Sequence, residues 1–137
     1  GGGAAGGTGA TLSLFLDSEP TPGARLSIRL SGAEREIAAA DLLVTGEGKA
    51  DRQTLCGKLV GEAARLARSC GLPLVVYCGS LDPEVMEAEW TQAGITRIYP
   101  LCTEGISPEE AMQDAAALLR ETVARTIPDI LRTLSAN

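Results

Sequence analysis

The chain has 137 residues, 45% of them hydrophobic, which suits one domain with an ordinary core. It carries 12 Lys+Arg against 18 Asp+Glu and no His, for a formal net charge of -6. This excludes His-based acid/base chemistry, Ser-His-Asp triads and His-ligated zinc, and with only 3% aromatic residues it argues against nucleic-acid binding.

No apolar run approaches the roughly 20 residues of a membrane span, and the start does not read as a signal peptide. Six of the 16 glycines fall within the first nine residues. Residue 1 is Gly, which reads as a processed, truncated or excised chain. Cys56, Cys70, Cys78 and Cys102 form no CxxC pair, and reduced thiols in a cytoplasmic protein are expected.

In chain order, Ala4 to Leu16 reads as a helix after a glycine-rich entry. The segment from Arg25 to Leu30 alternates as a strand would, with a helix as the alternative, and Glu34 to Ala40 reads as helical. Asp41 to Thr45 is a short apolar strand ending at Gly46 and followed by a polar loop. Leu59, Ala63, Leu66, Ala67 and Cys70 recur at helical spacing, with Gly71 as the stop. Leu74 to Cys78 is apolar on both faces, as a central parallel strand requires.

Asp82-Pro83-Glu84 predicts a helix start, and that helix ends near Gly94. Ile95 to Leu101 reads as a third strand, with Pro100 at an edge or exposed end. Ser107-Pro108-Glu109-Glu110 is a capping box opening a long helix, which Pro128 is expected to kink or end. The fold class that follows is α/β. Residues 41–137 form a three-layer, parallel-sheet, Rossmann-like βαβαβα unit, and residues 1–40 form a glycine-rich, mainly helical segment. Three strands make a narrow sheet, so further strands are expected from elsewhere.

The stretch from Thr45 to Thr54 (TGEGKADRQT) leaves the first strand and leads toward a helix. Gly46 and Gly48 would let backbone approach a ligand, and N–H groups at a helix start attract anions. Lys49 and Lys58 are candidate phosphate or carboxylate partners. Asp51 and Glu47 are candidate Mg2+ contacts or proton acceptors for an attacking hydroxyl, with Asp51 placed first. Neither GxxxxGK[ST] nor GxGxxG is satisfied: Leu59 follows Gly57-Lys58, and Asp51 stands where the last glycine belongs. A purely structural reading also accounts for these residues, with Gly46 and Gly48 in a tight turn, Asp51 as a helix cap and both lysines solvated. The opening glycines likewise read as a linker scar or as a glycine-rich entry to a helix.

The residues from Asp41 to Lys58 resemble the DLVxTGEGxxDxQTxxGK signature of type I glycerate kinases. Gly2-Gly3-Ala4-Ala5-Gly6-Gly7-Thr8-Gly9 resembles that family's GAGAAGGxG segment, and Pro73 to Ser80 falls in the expected order. The chain departs from the pattern at Cys56, where a His is common, and at Val60 and Glu62, where Pro and Gly are usual.

The resemblance implies a cytoplasmic enzyme of two α/β domains, considerably longer than this chain, which would be its C-terminal portion. Its reaction would be ATP- and Mg2+-dependent phosphorylation of the organic acid D-glycerate to 2-phosphoglycerate. The implied partners are ATP, glycerate and the missing N-terminal portion of the same protein, with no nucleic acid and no membrane. Asp51, Glu47 and Lys49 would be catalytic, with Asp51 and Glu47 also holding the metal. Gly2, Gly3, Gly6, Gly7, Gly46, Gly48 and Lys58 would bind the nucleotide. The alternatives are a non-catalytic α/β module that binds an anion or a partner chain, and a kinase for another small hydroxy-acid.

Overall fold

The computed structural model describes residues 3–16, 18–103 and 105–135. A 3-10 turn over Ala4–Gly7 leads into α1 (Thr8–Leu16), followed by α2 (Gly23–Leu30) and α3 (Ala33–Ala38). The alternating 25–30 segment is thus helical. Its one buried residue, Ile28, packs inward while its arginines stay toward solvent.

Three strands follow: β1 (Leu43–Ala50), β2 (Leu74–Leu81) and β3 (Arg97–Pro100). They pair in the order β1-β2-β3, all parallel, with α4 (Leu59–Cys70) joining the first two and α5 (Glu87–Ala93) the last two. Chain end is supplied by α6 (Pro108–Gln113) and α7 (Ala115–Ser135). This is the expected α/β arrangement, because each strand-to-strand return needs a crossover helix.

The central strand explains the layering. Leu74, Val76 and Cys78 enter one core with Val60, Ala64 and Ala67 of α4 and with Val85, Trp90 and Ile95. Tyr77 belongs to the opposite face, where its Oη lies 2.7 Å from Thr126 Oγ1 of α7 and its ring stacks on Tyr99. Helices therefore cover both faces, which is why β2 carries five consecutive buried residues.

Several boundaries differ from those the sequence suggests. β1 does not stop at Gly46 but continues to Ala50, pairing Gly46 with Tyr77, Glu47 with Cys78 and Lys49 with Ser80. The polar composition of this stretch masks a strand held by its neighbour's backbone rather than by apolar side chains. The buried face of α4 is Val60, Ala63, Ala64 and Ala67, whereas Leu59 and Cys70 are exposed.

Asp82 caps a turn through Oδ1, which accepts from the Glu84 N–H at 3.0 Å, and α5 starts only at Glu87. There Glu89 Oε2 accepts from the Met86 N–H at 3.0 Å, closing the helix start. β3 is shorter than Ile95 to Leu101, because the Ile95 N–H bonds the Trp90 carbonyl as the chain leaves α5. The final helix breaks at Asp114 and then runs through Pro128 without ending. The Ser107 cap forms as predicted: its Oγ accepts from the Glu110 N–H at 3.2 Å, and Glu110 Oε2 accepts from the Ser107 N–H at 2.9 Å.

Candidate functional site

In parallel α/β sheets, ligands collect beyond the carboxyl ends of the strands. Near those ends lie Gly48 of β1, Gly79 and Ser80 of β2, and Leu101 and Cys102 just after β3. Together with Glu47 and with Ala111, Met112 and Ala115 from α6 and α7, they enclose a half-open cavity of about 480 Å3. Ser80 and Glu47 are its polar side chains apart from the Cys102 thiol.

Gly79 is required where the two strands converge. A Cβ on Gly79 would stand 2.5 Å from the Gly48 carbonyl oxygen, closer than any real contact. At Gly46 a Cβ would lie 3.1 Å from the Tyr77 carbonyl oxygen. Gly46 and Gly79 serve strand packing, not a loop, while Gly48 and Gly79 leave bare backbone at the cavity.

Glu47 is mostly buried. Its Oε1 lies 3.7 Å from Lys58 Nζ, while Oε2 is buried with no hydrogen-bond partner among the described residues. A buried, unpaired carboxylate oxygen is costly, so this atom is the site's open valence. Glu47 also sits opposite Cys78 in the sheet. Burial, with the Glu47 charge added, pushes the Cys78 thiol up to about 11, so it stays protonated and is no nucleophile at neutral pH.

Asp51 is engaged locally. Its Oδ1 accepts from the Gln53 N–H at 2.8 Å and the Thr54 N–H at 3.2 Å, and its own N–H donates to Thr54 Oγ1 at 3.0 Å. Thr54 is fully buried, so this turn anchors the chain between β1 and α4. Gly61 lets α4 pass close to it, since a Cβ there would lie 2.7 Å from the Thr54 carbonyl oxygen.

Of the residues singled out from sequence, Glu47 and Gly48 line the cavity and Lys58 joins them through Glu47. Gly46 lies deeper in β1, and Lys49 is paired in register with Ser80. Gly3, Gly6 and Gly7 lie on the 3-10 turn and its approach, with open space where each Cβ would be. Gly2 falls outside the described residues. Among those described, no three His, Cys, Asp or Glu side chains cluster as a metal site. The sequence reading missed Gly79, Ser80, Cys102 and Met112. The available signal was positional: Gly79-Ser80 and Cys102 each follow an apolar strand.

Residues 1–131 match the model of the glycerate kinase family. The chain is 39% identical over 127 residues to a glycerate kinase of Halalkalibacterium halodurans, covering 93% of this chain and 33% of that protein. It is 31% identical over 135 residues to the glycerate 2-kinase of Escherichia coli K12, covering 98% of this chain and 34% of that protein. A crystal structure provisionally named glycerate kinase 2, from Salmonella typhimurium LT2, superposes with a TM-score of 0.64 at 32% identity, over 100% of this chain and 34% of that one. The chain thus spans about a third of the length of the curated relatives it matches.

Proposed function

This chain belongs to the glycerate kinase family, and from that membership we propose that it forms part of an ATP-dependent kinase converting D-glycerate to 2-phosphoglycerate. The remaining two-thirds of such an enzyme would be its principal partner, and the cytoplasm its location. No described helix is long and apolar enough to cross a membrane.

The observation that carries the reading is the unpartnered Oε2 of Glu47, held at the carboxyl end of a parallel sheet beside a cavity. Phosphoryl transfer needs positioning and charge stabilisation rather than a reactive nucleophile, and this site offers those elements. Mg2+ takes oxygen ligands, commonly one or two carboxylates plus phosphate oxygens and waters, so Glu47, with Asp51 second, fits it without a larger acidic cluster. When bound, Mg2+ would neutralise charge on the donor phosphates.

Lys58, already tied to Glu47, and Lys49 would meet phosphate or substrate carboxylate oxygens. Backbone at Gly46 and Gly48 and the Gly2–Gly7 segment (Gly2, Gly3, Gly6, Gly7) would cradle the nucleotide. In the reaction, the 2-hydroxyl oxygen of glycerate forms a bond to the γ-phosphorus. The bond from that phosphorus to the ADP oxygen breaks, and the hydroxyl proton passes to a carboxylate of Glu47 or Asp51.

The test is ATP-dependent phosphorylation of D-glycerate by the full-length protein. Glu47→Gln keeps the side-chain shape but removes the charge, and is expected to lower kcat by about 10²–10³-fold while leaving the fold intact. Absence of glycerate phosphorylation, or near-normal turnover in Glu47→Gln, would overturn the proposal.

A further inference from the structure

We infer that the cavity at the strand ends receives the heterocyclic base of the nucleotide donor, not the hydroxy-acid. This rests on the kinase reading above, and it assigns that reading's two substrates to different places.

The chemistry of the walls separates the two. Leu101, Met112, Ala111 and Ala115 present apolar surface, and Gly79 adds backbone without a side chain. A three-carbon hydroxy-acid carries a carboxylate and two hydroxyls, more polar groups than the Ser80 hydroxyl and the Cys102 thiol of this cavity can pair. A purine base is flat with two apolar faces, and it matches a cavity of about 480 Å3, within the usual range for small-molecule pockets.

The bare strand ends fit a planar ligand. Gly79 cannot carry a Cβ past the Gly48 carbonyl, and Gly48 likewise puts no side chain into the cavity. Met112 is 81% exposed on the opposite wall, a large apolar side chain left in solvent unless something covers it. Thioethers pack well against aromatic rings. With the base there, the phosphates run out toward Glu47 and its partner Lys58, where the open carboxylate oxygen lies.

The experiment uses the full-length protein and two variants, Ala115→Trp, which fills the cavity from an exposed position, and Met112→Glu, which charges its wall. Calorimetry measures the affinity for adenosine and for ATP, and steady-state kinetics give the KM for D-glycerate. Both variants are expected to weaken adenosine and ATP binding at least about tenfold, with the glycerate KM within about twofold of wild type. Unchanged adenosine affinity in both variants, or a raised glycerate KM with normal nucleotide affinity, overturns the inference while leaving glycerate phosphorylation, and so the kinase reading, standing. A wild-type protein that phosphorylates no glycerate overturns the kinase reading; one that binds no adenosine overturns the base assignment.

Discussion

Two glutamates close in sequence to the signature stretch have opposite fates. Glu62, at a position where the family usually has glycine, is buried on α4, and its Oε1 receives Arg25 Nε at 3.0 Å and Arg65 Nη2 at 2.7 Å. The Arg65 hydrogen bonds, followed by those of Arg25, outweigh burial and hold its carboxyl below the ordinary 4.5. A depressed carboxylate contributes stability above about pH 4.5 and loses it as pH falls through the lower folded-state value. Glu62→Gln should therefore cost about 1–3 kcal/mol at pH 7. The difference from wild type should shrink as urea denaturation is repeated below pH 4.5; a pH-independent difference would remove the ion pair from the account. Glu47 has one cation at 3.7 Å and an oxygen to spare. The Arg65 pairing of Glu62 is local, three residues on in the same helix, whereas the Arg25 contact from α2 and the lone Lys58 contact of Glu47 come from the tertiary fold.

At the scale of elements, the Ser107 cap and the stops at Gly71 and Gly94 were legible, whereas the start of α5, the break at Asp114 and the end of β1 were not. Ser107 with Glu110 forms its box, and Gly71 and Gly94 adopt left-handed backbone after α4 and α5, because caps depend on residues within a turn of each other. β1 instead extends through Gly46-Glu47-Gly48 because β2 lies alongside, a partner about thirty positions away. The close approach of these strands makes Gly79 a sharp test. Gly79→Ala forces its Cβ to within 2.5 Å of the Gly48 carbonyl oxygen, so strand backbone must move. We expect a loss of about 1–3 kcal/mol in chemical denaturation, with weakened nucleotide binding at the adjacent cavity. A variant as stable as wild type would show that the strands have slack.

Across the whole molecule, α7 seals the second face of the sheet through few polar contacts. Tyr77 Oη meets Thr126 Oγ1, which itself donates to the Thr122 carbonyl at 2.7 Å, and all of this is buried. Tyr77→Phe should cost about 1 kcal/mol and speed amide exchange in α7 around residues 122–130, while α4 on the other face exchanges as before. Uniform acceleration in both helices would mean that α7 is not a separable layer. At the other end of the chain, α1 buries no residue and leaves Leu14, Phe15 and Leu16 largely exposed, which accords with the proposal that a longer polypeptide surrounds this third.

The sequence by itself determined the βαβαβα order, the parallel class, the caps at Ser107, Gly71 and Gly94, and the family, since each is written in local spacing or in a contiguous motif. It also singled out Glu47 and Gly48, which line the strand-end cavity, and Lys58, which contacts Glu47. Only the tertiary structure decided that Gly46 and Gly48 lie in a strand, that Asp51 Oδ1 is spent on its own turn, and that Glu47 keeps an open oxygen. It alone assembled the cavity from positions 47 to 115. Burial and hydrogen-bond satisfaction depend on atoms contributed by distant parts of the chain, and no spacing rule within one segment can count them.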